Sequence, residues 1–313
     1  MSALFLALPL VVASPAFATV DYDSCVGIMK QGGMVICQFE PGDKVYYGDG
    51  DDFVVADSDG RAIIGFDRDA ADIERVSFPF ENGDGDEMMG FNPIPVEPRE
   101  YDTSRIDGLP KNMVSEYTEE ELARIRAATA RKKVGFASKH PEVLFDGSFI
   151  SPIQADYTKT TNFGAQRILN GEPKRPHFGV DLAAPKGTPI VAPADGLVSL
   201  ADDDMYFEGS LIMIDHGQGL ISYYLHSEDV LVEDGQAVKQ GEQIATVGSR
   251  GRSTGPHLCW RLKWRGRNLD PELLTRWDKR TYTGIGSGGF DKWGRDLGDP
   301  DYGVEPESFP EDG

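Results

Sequence analysis

The histidines of this chain are concentrated in one stretch. Of the five in the sequence, four fall between residues 177 and 259: His177, His216, His226 and His257. Asp181 lies in the same stretch. Imidazoles and carboxylates grouped in this way indicate a metal site or acid–base chemistry. The alternative that remains open at this point is a glycine-rich β-domain that holds most of the histidines without using them.

The segment that begins at His257 alternates strictly between two kinds of side chain. Its apolar members are two residues apart: Leu258, Trp260, Leu262 and Trp264. Side chains two apart share one face of a β-strand, so His257 and Cys259 are predicted to point together, away from the core. A cysteine that filled the core would be in phase with the tryptophans. A thiol beside an imidazole on such a strand is typical of a metal ligand next to a catalytic base.

Three phrases follow one another in this part of the chain. They are His177-Phe178-Gly179-Val180-Asp181, Tyr224-Leu225-His226 and Gly255-Pro256-His257-Leu258-Cys259. With flanking phrases at 162–167, 187–193 and 215–217, they resemble the LytM/lysostaphin-type zinc metallopeptidases, which cut peptide cross-bridges in bacterial cell walls. The resemblance covers roughly residues 160–275. The chain departs from the family at Cys259, where the family has the second histidine of a His-x-His motif.

The resemblance implies a role for each matching residue. His177 and Asp181 would be two zinc ligands, and Cys259 would be the third. His257 would handle the proton of the attacking water, and His226 would orient that water or stabilise the oxyanion. Bound zinc polarises a scissile carbonyl and lowers the pKa of a water molecule. Outside this set, His216 is predicted to brace a turn, and His140 receives no role.

Cysteine at the third ligand position is compatible with zinc. Thiolate is a good zinc ligand, and catalytic sites with mixed ligands occur. A thiolate in place of a neutral imidazole makes zinc a weaker Lewis acid, so slower or altered catalysis is expected. The resemblance thus implies a zinc metalloendopeptidase that hydrolyses peptide cross-links of bacterial peptidoglycan. The alternative is a catalytically degenerate wall-binding module, or a regulator of another cell-wall hydrolase.

The charge balance narrows the set of partners. Lys and Arg total 31 against 52 Asp and Glu, which gives a formal net charge of −21. Such acidity argues against nucleic acid or an anionic membrane surface as a partner. Beyond the N-terminus, no apolar run approaches the length of a membrane-spanning helix.

The N-terminus has the features of an export signal. Residues 3–13 are an apolar run too short to span a membrane, and Ala16-Phe17-Ala18 provides a small-x-small cleavage pattern. The prediction is a signal peptide at 1–18, a mature chain that begins near Thr19, and a location in the periplasm or cell envelope. In an oxidising compartment, Cys25 and Cys37 are predicted to form a disulfide. Cys259 is then left without a disulfide partner.

The predicted fold class is mainly β. A small β-domain is expected at 19–85, in which Asp57-Ser58-Asp59-Gly60 joins two strands as a hairpin. A linker at 86–147 contains one helix near 118–133, which Thr118-Glu119-Glu120-Glu121 begins as a capping box. The resemblance implies a LytM-like antiparallel sheet, a barrel-sandwich hybrid, at 148–277. An acidic, poorly ordered tail is predicted at 278–313.

Overall fold

The fold of the chain is known from a computed structural model, which describes residues 25–81, 83–108 and 117–277. The predicted signal peptide at 1–18 and the predicted tail at 278–313 lie outside these ranges. Most of the described elements are β-strands, as the sequence predicted.

The N-terminal part is built from two small sheets. Its strands are β1 (Cys25–Gly27), β2 (Met34–Gln38), β3 (Lys44–Tyr47), β4 (Phe53–Val55), β5 (Arg61–Gly65), β6 (Ile73–Glu81) and β7 (Glu87–Pro95). One sheet has the order β1-β2-β5, and the other has the order β4-β3-β6-β7. Cys25 faces Cys37 across β1 and β2, and the two are joined by a disulfide.

The predicted hairpin around Asp57 does not form. β4 and β5, the strands on either side of the turn, belong to different sheets. The Asp57 carboxylate instead accepts hydrogen bonds from the backbone amides of Asp59 and Arg61, at 3.0 and 2.8 Å. This carboxylate folds the turn on itself and lets the chain cross from one sheet to the other.

The segment predicted to be a linker contains two further strands. β7 pairs along its whole length with β6, from Glu81↔Glu87 to Ile73↔Pro95. β8 (Thr103–Ile106) pairs in parallel with β10 (Gln166–Leu169), which in turn pairs with β11 (Glu172–Pro173). Prolines in β7 misled the sequence prediction, but β7 is an edge strand, where a missing backbone donor is tolerated.

The connecting helix begins where the sequence predicted. Helix α1 (Glu119–Phe136) has Thr118 as its N-cap, and Thr118 and Glu121 form the reciprocal capping box. The helix ends three residues later than predicted. Within the described ranges, no helix combines the length and the apolar character needed to cross a membrane.

One large antiparallel sheet organises the C-terminal part. Its strands are β9 (Thr158–Thr161), β12 (Val180–Ala183), β14 (Gly196–Met205), β15 (Gly209–Asp215), β16 (Leu220–Leu225), β17 (Ala237–Val238), β19 (Leu258–Trp264) and β20 (Arg267–Leu269). The order is β17-β14-β15-β16-β19-β12-β9, with β20 paired to β19. A two-stranded sheet of β13 (Pro189–Val191) and β18 (Gln243–Thr246) accompanies it. Among the described strands this path stays open, so no closed barrel forms.

A short second helix was missed by the sequence analysis. Helix α2 (Pro271–Leu274) follows β20, with Asp270 as its N-cap and Pro271 at its start. An Asp-Pro pair is a helix-start signal that could have revealed it.

The two faces of the large sheet are covered by different parts of the chain. The face of β19 that carries Trp260 and Trp264 packs into a core shared with the N-terminal part, where the rings of Tyr47 and Trp264 are 4.6 Å apart. The opposite face carries Cys259 and is partly covered by α1, whose Phe136 ring lies 5.3 Å from that of Tyr223. The alternation predicted for β19 is therefore present, but both of its faces are buried near Cys259.

His216 braces a turn, as predicted, and does so as a buried neutral imidazole. Its Nδ1 donates to the carbonyl of Asp195 at 2.7 Å. Its Nε2 lies 2.7 Å from the hydroxyl of Ser222, which in turn contacts the hydroxyl of Tyr224. Burial lowers the pKa of His216 to about 4, although the Asp195 carbonyl and nearby carboxylates favour its protonated form.

This imidazole is expected to make stability depend on pH. The pKa of His216 is about 4 in the folded protein and near its ordinary value of 6.5 in the unfolded chain. Its full contribution to the free energy of unfolding is therefore present above pH 6.5. It is lost as the pH falls from 6.5 to 4, at a cost of about 3 kcal/mol. Urea unfolding at several pH values should show a smaller acid loss in His216→Gln than in the wild type. Equal losses in the two proteins would contradict the assignment.

Candidate metal centre

Two neighbouring strands bring three candidate ligands together. β12 and β19 pair so that Asp181 lies opposite Cys259. His177 precedes β12 and turns back, so that its Nε2 lies 3.2 Å from Asp181 Oδ1 and 3.3 Å from Cys259 Sγ. One ligand atom from each residue lies within 4.8 Å of the other two. The described part of the chain thus holds a compact His-Asp-Cys cluster.

The donor set and its spacing fit a tetrahedral zinc ion. Zinc bond lengths of 2.0–2.3 Å imply separations of roughly 3.3–3.6 Å between neighbouring ligand atoms. The two separations at His177 Nε2, 3.2 and 3.3 Å, lie at or just below the short end of this range. Asp181 Oδ1 is also buried and makes no hydrogen bond within the described residues, so it is available to a cation.

The geometry does not fit a cysteine nucleophile. In a nucleophile–histidine–carboxylate triad, the nucleophile and the carboxylate contact opposite nitrogens of the imidazole. Here the thiol and the carboxylate both face Nε2 of His177, while its Nδ1 is buried without a partner among the described residues. Three groups that converge on one point are the arrangement of metal ligands.

Arginine side chains surround this cluster. Arg261 Nε donates to Cys259 Sγ at 3.2 Å, and Arg167 Nη2 lies 3.9 Å from Asp181 Oδ2. Burial raises the pKa of the Cys259 thiol to about 12, against the opposing effect of Arg261. Burial also favours the neutral form of Asp181, but the adjacent His177 imidazole, 3.2 Å away, outweighs burial and holds the pKa of Asp181 below its ordinary value.

The two predicted catalytic histidines lie side by side next to the cluster. The ring centroids of His226 and His257 are 4.9 Å apart, and His257 Nε2 lies 3.9 Å from Asp181 Oδ1. His226 Nδ1 donates to the carbonyl of Arg250 at 2.8 Å, and His257 Nδ1 donates to the carbonyl of Gly255 at 2.9 Å. A carbonyl can only accept, so the neutral form of either imidazole has its proton on Nδ1 and a free lone pair on Nε2.

His226 is held in an unusual backbone conformation. It directly follows β16 with φ of 70°, in the left-handed region that non-glycine residues rarely adopt. Its amide donates to the carbonyl of Glu208 at 3.0 Å, which ties it to the neighbouring β14–β15 turn. Burial lowers the pKa of His226 to about 4, so the imidazole is neutral at physiological pH. A strained, buried, neutral histidine beside a metal cluster is a functional candidate.

Gly179 and Arg261 fit together at the floor of the site. A β-carbon at position 179 would lie 2.4 Å from Cγ of Arg261 and 2.7 Å from the carbonyl oxygen of Trp260. Glycine therefore leaves the space that the arginine stem occupies. Arg261 was not among the site residues predicted from the sequence. Its position two residues after Cys259 on an alternating strand was the signal that could have found it.

The structure brings together all five residues for which the resemblance implied a role at the metal site: His177, Asp181, His226, His257 and Cys259. Their roles stay predictions. His216 lies in a separate hydrogen-bond network, described above.

The C-terminal part matches known proteins. Residues 175–271 match the family described as Peptidase family M23. A crystal structure of a putative peptidase M23 from Pseudomonas aeruginosa aligns with a TM-score of 0.58 at 25% identity, over 79% of this chain and 95% of that one.

Two curated relatives illustrate different activities. The peptidoglycan DD-endopeptidase ShyA of Vibrio cholerae is 39% identical over 121 residues, which are 38% of this chain and 28% of the relative. The murein hydrolase activator NlpD of Escherichia coli is 39% identical over 93 residues, which are 30% of this chain and 24% of the relative. The chain therefore spans less than a third of the length of these relatives. Residues 175–271 therefore form a domain similar to peptidase family M23, which agrees with the resemblance to LytM/lysostaphin-type peptidases.

Proposed function

We propose that the protein is an exported zinc metalloendopeptidase that hydrolyses peptide cross-links of bacterial peptidoglycan. The observation that carries the proposal is the convergence of His177, Asp181 and Cys259 on one point beside the paired imidazoles of His226 and His257. Relatives in family M23 include peptidoglycan DD-endopeptidases, which supports the class of substrate.

His177, Asp181 and Cys259 would hold the zinc. When bound, zinc supplies a Lewis acid for the scissile carbonyl and for a water molecule. Arg261 and Arg167 offset the negative charge that a thiolate and a carboxylate bring to the site. Their guanidinium groups remain charged at all physiological pH values.

The two histidines divide the proton chemistry. His257 Nε2 lies 3.9 Å from Asp181, and in the neutral form of the ring its lone pair can accept the proton of an attacking water molecule. His226 is neutral and fixed by Arg250 and Glu208, so its Nε2 can orient the same water molecule or contact the developing oxyanion. In both rings, Nδ1 is hydrogen-bonded to a backbone carbonyl, and this hydrogen bond sets the tautomer that these tasks require.

We place the protein in the periplasm or cell envelope. The disulfide between Cys25 and Cys37 favours an oxidising compartment, since disulfides are rare in reducing cytosol. The relatives that act on peptidoglycan favour the same location.

A second function is an activator of another cell-wall hydrolase or a wall-binding module. The specific observation in its favour is the similarity to the murein hydrolase activator NlpD, 39% identical over 93 residues. The cysteine at a ligand position agrees with either function. Of the two, the compact ligand cluster with both histidines favours the enzyme.

Digestion of purified peptidoglycan tests the two functions directly. The zinc-loaded protein should release soluble peptide fragments with new amino termini, detected by mass spectrometry. Activity should disappear with a chelator and return with added zinc. A protein that releases nothing alone but increases the release caused by a second wall hydrolase would be an activator instead.

A further inference from the structure

Two short segments maintain the strained backbone of His226. The first is the β14–β15 turn, residues 206–208, whose Glu208 carbonyl accepts the hydrogen bond from the His226 amide at 3.0 Å. The second is the loop at residues 250–252. The Arg250 carbonyl accepts from His226 Nδ1 at 2.8 Å, and the Arg250 amide donates to the His226 carbonyl at 3.3 Å. A backbone in a sparsely populated region persists only where its surroundings enforce it, so these two segments fix His226.

The two segments are in direct contact with each other. A β-carbon on Gly209 would lie 2.2 Å from the carbonyl carbon of Arg250, and one on Gly251 would lie 2.3 Å from the amide nitrogen of Gly209. The Arg252 amide also donates to the carbonyl of Phe207 at 2.8 Å. Because the two backbones touch, a shift of the β14–β15 turn is transmitted to the loop that holds the imidazole.

Helix α1 holds the β14–β15 turn through two side-chain contacts. Lys132 Nζ lies 2.5 Å from Glu208 Oε1, and the hydroxyl of Tyr206 donates to Glu121 Oε1 at 2.7 Å. Glu121 and Lys132 are about three helical turns apart, so both lie on the same face of α1. The helix therefore contacts the turn at both of its ends.

The Lys132–Glu208 pair is better shielded from water than the neighbouring pairs of α1. The side chains of Lys132 and Glu208 are 26% and 12% exposed, whereas Arg131, which pairs with Asp202 and Asp234, is 48% exposed. Glu208 Oε2 is buried and makes no hydrogen bond within the described part of the chain. Removal of Lys132 would therefore leave a buried carboxylate without its counter-ion, which destabilises the turn that carries it.

We propose that Lys132 and Glu208 are positioning residues for His226, through which helix α1 sets the place of the imidazole beside the metal centre. The inference rests on the proposed function, in which His226 orients the attacking water molecule or contacts the oxyanion. The helix contributes no side chain to the cluster of ligands. It acts on the site through the β14–β15 turn, so the docking of α1 is required for full activity.

Amide hydrogen exchange at His226, followed by NMR on the zinc-loaded full chain, tests the positioning role without reference to activity. Lys132→Gln should speed exchange of this amide about tenfold, because the turn that accepts its hydrogen bond opens more often. Lys132→Arg keeps the positive charge and should preserve slow exchange.

Arg131→Gln is the matched control. It removes the same charge from the adjacent residue of α1, but its partners Asp202 and Asp234 make no hydrogen bond to His226 within the described ranges. Exchange at His226 should stay at the wild-type rate. Equal acceleration by both glutamine variants would overturn the inference, since the loosening of α1 as a whole would then be the cause. Unchanged exchange in Lys132→Gln would overturn it as well.

Kinetics separate this inference from the proposed function. On soluble peptidoglycan fragments, Lys132→Gln should lower kcat about 10- to 100-fold, the effect of a misplaced catalytic group. KM should stay within about twofold, because the interaction that is lost acts in the transition state. A change confined to KM would contradict the positioning role. If the wild type cleaves nothing, the proposed function fails, and hydrogen exchange still decides whether Lys132 and Glu208 fix His226. Unchanged zinc content and circular dichroism in each variant show that folding is intact.

Discussion

Purified Cys259→Ala protein is expected to lose most of its zinc, while the wild type holds about one zinc ion per chain. The variant removes one of three converging ligands and leaves His177 and Asp181 to bind alone. The loss in zinc affinity should exceed the 10- to 100-fold cost typical of removing a mere supporting contact. Metal analysis after dialysis, under reducing conditions, measures the result.

A spectroscopic readout identifies the sulfur ligand independently of activity. Cobalt-substituted wild-type protein should absorb in the near ultraviolet through a thiolate-to-metal charge-transfer band, and Cys259→Ala should lack it. Cys259→Ser is a second variant that keeps the size of the side chain in this buried position. Wild-type protein that holds no metal after reconstitution would refute the zinc site and favour the wall-binding alternative.

Loss of the His257 imidazole is expected to abolish hydrolysis without emptying the metal site. His257→Ala removes the proposed proton acceptor but none of the three ligands. Catalytic activity on peptidoglycan should fall about 10²- to 10⁴-fold, the range for loss of a positioned general base. Zinc content should stay near that of the wild type.

The same variant distinguishes the two proposed functions. A wall-binding or activating module would keep its affinity and its effect on another hydrolase when His257 is replaced. His140→Ala is the control, because His140 lies outside the cluster and contacts Glu142. Full hydrolysis by His257→Ala would show that this imidazole is not the base.

Much of the candidate site could be predicted from local patterns. The alternation after His257 placed Trp260 and Trp264 in the core and aligned Cys259 with His257, because strand geometry fixes the direction of each side chain. The capping box located the start of α1 at Thr118. These features depend only on neighbours in the sequence.

Contacts between distant segments could not be predicted in this way. β7 was taken for a linker because its prolines and polar flank hide a strand that pairs only with β6. The partner of Arg261 depends on the side chains that tertiary packing places beside it, so neither its hydrogen bond to Cys259 nor the fit of Gly179 could be derived from spacing. The burial of Cys259 required knowledge of where α1 lies.

The core shared by the N-terminal sheets and the large sheet bears on how the protein can be divided. Buried residues from both parts form one cluster, in which Trp264 contacts Tyr47 and Gly65. The side-chain amide of Gln218 also bonds to the backbone of Ile63 and Arg61, each at 2.8 Å.

We expect this shared core to make the two parts unfold as one cooperative unit. Calorimetry should record a single melting transition, and proteases should release no stable C-terminal fragment. A truncation that begins at residue 148 would expose the tryptophan face of β19 to water and favour aggregation. The domain that carries the metal centre is thus expected to depend for its solubility on N-terminal strands that contribute none of the metal ligands.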